Sequence, residues 1–333
     1  MKHKILITGG LGFIGSHLIK YFVKKYPDYM IYNIDKITYA ANIKNVSEIK
    51  DSKNYKFIEA DICDFSLIKK IFIQYEITSV INLAAESHVD RSIENPILFA
   101  ETNVIGTINL LKIATNHWSG KFKNKLFYQV STDEVYGALG TKGSFVESSK
   151  YKPNSPYSAS KASADHFVNS FAKTYNLPVI ISNCSNNYGT NQFSEKLIPL
   201  VIFNTIEKKP IPIYGNGQNV RDWIHVNDHV SAIDKIFHFG KHGENYNIGG
   251  ANEYSNLELV KTIIKITDVK LGRKKGSSEN LIEFVKDRNG HDFRYSVNCS
   301  KLINTLGWNA KINFKVGLEN TILWYINNYK HLK

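Results

Sequence analysis

Two adjacent carboxylates, Asp133 and Glu134, follow the apolar run LFYQV, which has the composition of a buried strand. Neighbouring carboxyl groups repel each other, and this repulsion raises the pKa of one of them enough to keep it protonated near neutral pH. One group can then donate a proton while the other accepts one. The pair therefore indicates acid–base catalysis at the end of a strand, and two exposed loop acids are the alternative.

A tyrosine and a lysine, Tyr157 and Lys161, lie four residues apart in PYSASK, at the start of a helix that Pro156 opens. This spacing places both side chains on one helix face, about 6 Å apart along the axis. A lysine ammonium beside a phenol favours the phenolate, so we predict that the pKa of Tyr157 falls from about 10 toward neutrality. Such a phenolate would be a general base for an alcohol that is being oxidised.

A glycine-rich turn, TGGLGFIG, follows the first apolar segment and places Gly9, Gly12 and Gly15 three residues apart. Glycine permits the tight turn and close backbone approach that a pyrophosphate needs, and the next helix offers free N–H groups at its N-terminus. Asp35 ends the second apolar segment, where an acid can bind a ribose diol and disfavours the 2′-phosphate of NADP. The pattern predicts an NAD site, and turn glycines with a capping aspartate are the alternative.

The ends of the third and fourth apolar segments supply further candidate residues of this site. Asp61 and Ile62 end the third segment, and NLAA ends the fourth. Because the carboxyl ends of parallel strands line one crevice, we expect these residues to lie beside the glycine turn. Asp61 could bond the amino group of an adenine, or it could cap the helix that begins near Phe65.

The elements that would position these groups are short apolar segments alternating with helical ones. Strands are predicted within residues 4–9, 30–35, 56–62, 79–85, 126–132 and 178–185. Alternating strands and helices predict an α/β fold with a Rossmann-type doubly wound parallel sheet. We assign residues 1–185 to an NAD-binding domain and residues 186–333 to a smaller C-terminal α/β substrate-binding domain, with some chain crossing back.

The second half shows a looser pattern. We predict a helix over residues 191–209, a short strand over 210–215 and a helix over 256–267. Two polar, glycine-containing stretches, YGNGQNVRDW and DRNGHDFRYS, lie among these segments. Such a region is typical of a substrate-capping domain.

Composition narrows the class of protein. The formal net charge is +12, but only five of the 42 basic residues are arginine and the lysines are spread along the chain, which argues against a nucleic-acid partner. No apolar run approaches the roughly 18 residues of a membrane span, and the first residues show no signal segment. Three cysteines without metal spacing favour reduced thiols in the cytoplasm, with no metal site.

Taken together, these motifs resemble the extended short-chain dehydrogenase/reductase family, and within it the sugar-nucleotide 4,6-dehydratases. The similar stretches run from about Lys4 to Asn327 and include DKITYAANIKN, LAAESHVDRSI, STDEVYG, NNYGTNQFSEKLIP and VRDWIHVNDH. Most relatives that oxidise or epimerise sugar nucleotides have a small residue in place of Asp133. A C4 epimerase or a UDP-glucuronate decarboxylase would not need the acid pair.

The resemblance implies a catalytic set of Thr132, Asp133, Glu134, Tyr157 and Lys161. Tyr157 would take the C4 hydroxyl proton of a glucose nucleotide, Thr132 would bond the C4 oxygen, and NAD would receive and later return the hydride. Glu134 would act as base at C5 and Asp133 as acid to the C6 hydroxyl. The implied substrate is dTDP-glucose, with UDP-glucose or another sugar nucleotide as the alternative. A non-catalytic NAD-binding protein and a basic nucleic-acid-binding protein are the interpretations from other classes.

The resemblance also implies two sets of contacts. The residues implied to bind NAD are Gly9, Gly12, Phe13, Ile14, Gly15, Asp35, Lys36, Thr38, Asp61, Ile62, Leu83, Ala84, Ala85, Thr102, Tyr157, Lys161 and Asn187. The residues implied to bind substrate, besides the acid pair and Thr132, are Ser87, His88, Asn186, Lys196, Leu197, Pro212, Tyr214, Arg221, Asn256, Arg288, His291 and Tyr295, with the two arginines on the diphosphate.

Departures from the family pattern border the implied nucleotide pocket. The positions that differ from the family pattern are Asn183, Thr190, Asn191, Ser194, His225, Asn289 and Phe293. They leave the choice between thymine and uracil open. The family pattern also implies a homodimer, in which the helices at Asn103–His117 and Tyr157–Tyr175 form a four-helix interface.

Overall fold

The strands and helices alternate along the first half of the chain. The computed structural model describes residues 3–332. Its strands are β1 (His3–Thr8), β2 (Tyr29–Asp35), β3 (Tyr55–Glu59), β4 (Ser79–Asn82), β5 (Leu126–Thr132), β6 (Val179–Cys184), β7 (Asn186–Tyr188), β8 (Ile211–Tyr214), β9 (Val220–His225), β10 (Asn245–Ile248), β11 (Glu253–Ser255) and β12 (Ile282–Val285). Its α-helices are α1 (Phe13–Lys25), α2 (Phe65–Tyr75), α3 (Val89–Glu94), α4 (Pro96–Phe99), α5 (Gly106–Trp118), α6 (Pro156–Tyr175), α7 (Leu197–Glu207), α8 (Val226–Phe239), α9 (Asn256–Lys270), α10 (Ser300–Leu306) and α11 (Phe314–Leu332).

A seven-stranded parallel sheet, in the order β10-β6-β5-β4-β1-β2-β3, forms the larger layer. Helices cover both of its faces, so its central strands are buried and mostly apolar, with polar residues toward their carboxyl ends. This architecture confirms the predicted doubly wound sheet, and the six predicted strands are its β1 to β6. Strands β3 and β4 end earlier than predicted, because residues 60–62 and 83–85 leave the sheet and line a cleft at its edge.

A row of buried polar side chains joins the carboxyl ends of the central strands. The hydroxyl of Thr8 donates to the amide oxygen of Asn82 at 2.6 Å, and Asn82 donates to Gln129 at 2.8 Å. The Thr8 hydroxyl also accepts from the backbone N–H of Ala84 at 3.1 Å. These bonds align the carboxyl ends of β1, β4 and β5. Functional groups of such sheets lie at this edge.

Two small sheets belong to the second half of the chain. One has the order β11-β9-β7, and the other pairs β12 with β8. Helices α7, α9 and α11 pack around them in a separate apolar core. Helix α8 and strand β10 return to the large sheet, where β10 pairs with β6 and α8 packs on α1.

One sequence prediction for this half is wrong. Residues 191–196 are not helical: Asn191 has a φ of 66°, and α7 begins only at Leu197, two residues before Pro199. The stretch VRDWIH, for which the sequence analysis predicted no element, is strand β9. Its polar residues are tolerated because Asp222 accepts backbone N–H groups of Gly250 and Asn252 at 3.1 and 2.7 Å.

A buried carboxylate fixes the end of α1 that is remote from the glycine turn. Asp234 on α8 accepts hydrogen bonds from Lys25 at 2.6 Å and from Tyr26 at 2.7 Å. Burial raises the pKa of Asp234, but hydrogen bonds from His238, Lys25 and Tyr26 outweigh it and bring the pKa to about 2. Asp234 therefore remains charged and ties α1 to α8 at neutral pH.

One helical stretch, Pro96–Trp118, is long and apolar enough by composition to cross a membrane, contrary to the sequence expectation. Half of that stretch is buried inside the protein, where Leu110, Leu111 and Ala114 join the core beneath the large sheet. Burial in the core of the protein explains the apolar composition of this half. The other half carries exposed Ile97 and Ile105.

Candidate active site

A cleft of about 540 Å³ lies at the carboxyl ends of the parallel strands, between them and the second half of the chain. It is lined by every residue that the sequence assigned to the catalytic, cofactor or substrate set. The structure therefore brings together residues from Gly9 to Tyr295. The role of each residue within the cleft remains a prediction.

The glycine turn lies between β1 and α1 and has no room for side chains. Gly9 has a φ of 71°, and a Cβ on it would lie 2.8 Å from the backbone nitrogen of Ala84. A Cβ on Gly15 would lie 2.2 Å from the carbonyl oxygen of Gly9. Within residues 3–332 no side chain caps the N-terminus of α1, and no acid lies in its first turn. This cradle fits a pyrophosphate, which the N–H groups and the helix dipole stabilise.

Asp35 lies at the end of β2, beside this turn. Its carboxylate accepts the backbone N–H groups of Leu11 and Ile37 at 3.0 and 2.9 Å, one on each oxygen. Each oxygen keeps lone pairs for a ribose diol. Lys36 lies 3.3 Å from Asp61, so its charge is already paired with a carboxylate instead of being available for a 2′-phosphate. The donor set fits NAD.

The structure decides between the two alternatives for Asp61. Helix α2 is capped by Asp64, whose carboxylate accepts the backbone N–H of Leu67 at 2.9 Å. Asp61 instead accepts the N–H of Cys63 at 2.9 Å and lines the cleft. The capping alternative is therefore wrong, and the contact of Asp61 with an adenine stays a prediction.

The acid pair lies in a 3₁₀ turn, Asp133–Tyr136, that directly follows β5. Burial, and secondly the charge of Glu134, raise the pKa of Asp133 well above its ordinary range. Burial also raises the pKa of Glu134, but Arg221 and Lys196 oppose that rise. Asp133 is therefore the member that is more readily protonated, and Glu134 is the member whose charged form the cations favour. The sequence predicted this division from repulsion alone, whereas burial is the larger cause.

Asp133 has a second feature that points to a ligand. Its Oδ1 accepts a hydrogen bond from the hydroxyl of Thr132 at 3.3 Å. Its Oδ2 is buried without a hydrogen-bond partner among the residues that the structure describes. A buried oxygen of this kind costs free energy unless something binds to it, and such atoms concentrate at functional sites.

Helix α6 brings Tyr157 and Lys161 to the same cleft as the acid pair. A capping box between Ser155 and Ser158, with Pro156 at the first helical position, starts the helix at the cleft. The Lys161 ammonium donates to the carbonyl oxygen of Val130 at 2.7 Å. The predicted helix start and the shared face of the two side chains are therefore present.

The predicted fall in the pKa of Tyr157 is wrong for this structure. Burial, and then the charge of Glu134, raise the pKa of Tyr157 well above 10. Lys161 does not reverse this effect, because burial lowers its own pKa and its ammonium is directed at a backbone carbonyl. The phenol therefore needs additional positive charge beside it before it can ionise near neutral pH.

The sequence analysis did not predict a buried carboxylate that lies close to Lys161. Asp165 is fully buried one turn further along α6 and accepts hydrogen bonds from Ser131 at 2.6 Å and Tyr151 at 3.1 Å. Burial, opposed by Lys161, raises the pKa of Asp165 to about 6. The only sequence signal was an acid four residues after Lys161.

Two arginines from the second half of the chain complete the cleft. Arg221 on β9 stacks 4.4 Å above the ring of Tyr295 and donates to the carbonyl oxygen of Asp292 at 3.0 Å. Arg288 forms an ion pair with Asp90 at 2.5 Å. Lys196, between these elements, donates to the carbonyl oxygen of Ser87 at 2.8 Å. All three cations line the same cleft.

Several lining residues were not predicted, and their side-chain partners explain why. Asp90 and Glu195 pair with residues far away in the sequence, which no local pattern reveals. Trp223 lines the cleft with its indole N–H buried and unpartnered among residues 3–332. Its position two residues after Arg221 in VRDW was the available signal.

The glycine turn, the Rossmann sheet and the Tyr-x-x-x-Lys helix define the class, an extended short-chain dehydrogenase/reductase. Within that class the chain belongs to the family described as GDP-mannose 4,6 dehydratase, whose model matches residues 6–321. The resemblance noted from its motifs is thereby confirmed.

Individual relatives carry a more specific name. The chain is 49% identical over 332 residues to the dTDP-glucose 4,6-dehydratase of Haemophilus influenzae, covering 97% of this chain and 98% of that protein. It is 45% identical to the Bacillus anthracis dTDP-glucose 4,6-dehydratase solved with NAD, with a TM-score of 0.88, covering 99% of this chain and 100% of that one. The Streptomyces venezuelae dTDP-glucose 4,6-dehydratase, solved with NAD and dTDP, is 39% identical with a TM-score of 0.91 over the same shares.

The glycine turn yields a direct prediction. Gly15→Ala should lower NAD affinity by about tenfold or more, equivalent to about 1.4 kcal/mol, because the new Cβ would lie 2.2 Å from the carbonyl oxygen of Gly9 and displace the turn. NAD released from the denatured, purified variant, measured by mass spectrometry, checks this. Gly140→Ala is the control, since nothing lies within 4 Å of that Cβ. Equal NAD content in both variants would refute the assignment.

Proposed function

We propose that this protein converts dTDP-glucose to dTDP-4-keto-6-deoxyglucose and water, with NAD that stays bound and is regenerated in each turnover. The observation that carries the proposal is the acid pair. Asp133 and Glu134 line one cleft with Tyr157 and the glycine turn, and their surroundings differ: burial dominates at Asp133, whereas Arg221 and Lys196 favour the charged form of Glu134. Relatives up to 49% identical named dTDP-glucose 4,6-dehydratase support it.

The cofactor would lie between the glycine turn and Tyr157. Gly9, Gly12 and Gly15 would hold its pyrophosphate, Asp35 its ribose diol, and Asp61 its adenine. When bound, NAD supplies the hydride acceptor for C4, the hydride donor for C6 and positive charge near Tyr157. The cofactor is restored at the end of each cycle, so none is consumed.

Three side chains would act on the C4 hydroxyl group and its proton. Tyr157 accepts the proton of the C4 hydroxyl as that carbon is oxidised. Thr132 lies close enough to influence the Tyr157 phenol and would hold the C4 oxygen. Lys161 is anchored on the carbonyl of Val130, and its positive charge favours the ionised tyrosine. Loss of such a positioned base typically costs about 10²–10⁴-fold in rate.

The acid pair performs the elimination. Glu134, whose charged form Arg221 and Lys196 favour, removes the C5 proton, which the neighbouring 4-keto group has made acidic. Asp133, kept protonated by burial, gives its proton to the C6 hydroxyl as it leaves as water. After C6 receives the hydride, Glu134 returns its proton to C5, Tyr157 releases the proton of the C4 hydroxyl to solvent, and solvent reprotonates Asp133. The net change is the loss of one water.

The nucleotide would occupy the side of the cleft formed by the second half. Arg221, Arg288 and Lys196 supply positive charge for the diphosphate, with His291 beside them. Leu197 and Pro212 line the cleft there and offer an apolar wall to a base. The names of the relatives favour thymine over uracil as the base. UDP-glucose is the alternative substrate. Nothing in the cleft favours nucleic acid as a partner.

We further propose a cytoplasmic homodimer. Exposed apolar side chains lie on the two helices that the family pattern assigns to a four-helix interface. Ile105 is 49% exposed, Phe167 on α6 40% and Tyr175 50%. A second copy that covers these groups would remove them from water, which favours association. The three free cysteines agree with a reducing compartment.

The substrate assignment predicts turnover of dTDP-glucose by the purified protein without added nicotinamide cofactor. The product should be one water lighter than the substrate by mass spectrometry and show the alkaline absorbance of a 4-keto-6-deoxy sugar. UDP-glucose should react more slowly, because the nucleotide site is expected to suit thymine. A stoichiometric requirement for fresh NAD would contradict the closed cycle, and faster reaction of UDP-glucose would favour the alternative.

The acid pair predicts a trapped intermediate. Asp133→Asn and Glu134→Gln should slow water loss by about 10²–10⁴-fold while sparing oxidation at C4, so an enzyme-bound 4-ketoglucose nucleotide accumulates. Rapid-quench mass spectrometry detects it as one water heavier than the product. Tyr157→Phe is the matched control, which should form neither intermediate nor product. Parent rates in both acid variants would show that the pair is ordinary loop charge.

The dimer predicts a shift in sedimentation. The parent should sediment as a dimer, and Phe167→Glu combined with Ile105→Glu should sediment as a monomer, because two buried carboxylates would face an apolar interface. Ile43→Glu is the control, since Ile43 is 56% exposed on a different element. A monomeric parent would refute the dimer.

A further inference from the structure

A short ion pair spans the cleft between the two halves of the chain. Asp90 lies on α3, and Arg288 follows β12, 198 residues later. The Nε of Arg288 donates to Oδ1 of Asp90 at 2.5 Å, and Nη2 donates to Oδ2 at 2.7 Å. The two side chains are only 21% and 30% exposed, so water screens the pair less than it would at an open surface.

The edge of the Arg288 guanidinium that binds Asp90 determines which N–H donors remain for a ligand. A guanidinium has five N–H groups, and two of them, on Nε and Nη2, point at Asp90. Among residues 3–332 these are its only side-chain hydrogen bonds. The edge formed by Nη1 and Nη2 thus keeps a parallel pair of donors, the geometry that binds two phosphate oxygens together. Asp90 and a diphosphate can therefore hold the same arginine at once.

A tyrosine fixes the pair on a second side. The hydroxyl of Tyr214 donates to Oδ2 of Asp90 at 3.4 Å, and Arg288 lies 5.0 Å above the Tyr214 ring. The guanidinium is held in its plane by the carboxylate and from one face by the ring. A long, flexible side chain is thus oriented before any ligand arrives, which lowers the entropy cost of binding.

The charge of Asp90 should oppose an anionic ligand only weakly. Arg288 and the Tyr214 hydroxyl already neutralise and solvate that carboxylate. Arg221, Lys196 and His291 line the same cleft and add positive charge or hydrogen-bond donors. Orientation of the arginine should therefore outweigh repulsion.

We propose that Asp90 is a positioning residue that presents the Nη1–Nη2 edge of Arg288 to the diphosphate of the nucleotide. The inference rests on the proposed function, because it takes a nucleoside diphosphate sugar as the ligand. Asp90 does not contact the reacting carbons. Its contribution is to the affinity for the diphosphate and not to the chemical steps.

Binding of a ligand series to the NAD-loaded protein tests the proposal. Asp90→Asn should weaken dTDP binding by about tenfold, equivalent to about 1.4 kcal/mol, and leave thymidine binding within about twofold, as measured by titration calorimetry. In turnover, KM for dTDP-glucose should rise by a similar factor while kcat changes little. Asp90→Glu, which keeps the carboxylate, should recover part of the loss.

Two further variants separate positioning from general damage. Arg91→Gln removes the adjacent ion pair of α3, Arg91 to Glu195 at 2.8 Å, and should leave dTDP affinity within about twofold, as expected for an exposed pair. In an Arg288→Gln background, Asp90→Asn should add no further loss, because the arginine through which it acts is gone.

Other outcomes would overturn the inference. Tighter dTDP binding by Asp90→Asn would show that Asp90 competes with the ligand. Equal losses for thymidine and dTDP, additive losses in the double variant, or an equal loss in Arg91→Gln would show a structural effect only. A parent that binds neither dTDP nor UDP refutes the proposed function itself, whereas a parent that binds dTDP unaltered by Asp90→Asn refutes only this inference.

Discussion

Asp133 and Glu134 lie side by side in the cleft, Asp133 buried and Glu134 partly buried, and two neighbouring carboxylates cannot both be ionised there without a large electrostatic cost. The structure meets this constraint with asymmetric surroundings. At Asp133, burial and the neighbouring charge of Glu134 raise the pKa well above its ordinary range, whereas at Glu134 the charges of Arg221 and Lys196 oppose the effect of burial. A proton is therefore held more readily on Asp133 than on Glu134.

This asymmetry requires both halves of the chain. The acid pair follows a strand of the large sheet, but the cations that favour the charged form of Glu134 come from β9 and from the segment before α7. The acid–base pair thus acquires its asymmetric surroundings only when the second half packs over the strand ends. The Asp90–Arg288 ion pair lies across the same junction, so it both joins the halves and orients one of the cations.

The cofactor side of the cleft depends mainly on the backbone. Gly9 and Gly15 are required because any Cβ would collide with backbone atoms of the turn or the next strand. The hydrogen bonds through Thr8, Asn82 and Gln129 align the ends of β1, β4 and β5. The glycine turn follows β1 and the acid pair follows β5, so these bonds fix the position of one relative to the other. Rigid strands therefore supply the geometry, and the loops that follow them supply the chemistry.

Local patterns in the sequence determined the strands of the large sheet, the glycine turn and the shared helix face of Tyr157 and Lys161, whereas most of the residues that line the cleft were predicted from the resemblance to the family. Each of the local features depends on residues within one or two turns of each other, where sterics and periodicity act directly. Only the tertiary structure decided the direction of the Tyr157 pKa, the choice of Asp64 over Asp61 as helix cap, and the strand at VRDWIH. It also revealed the pairing of Asp90 with Arg288. Those outcomes depend on burial and on partners far away in the sequence, and burial and long-range contacts exist only after the chain has packed.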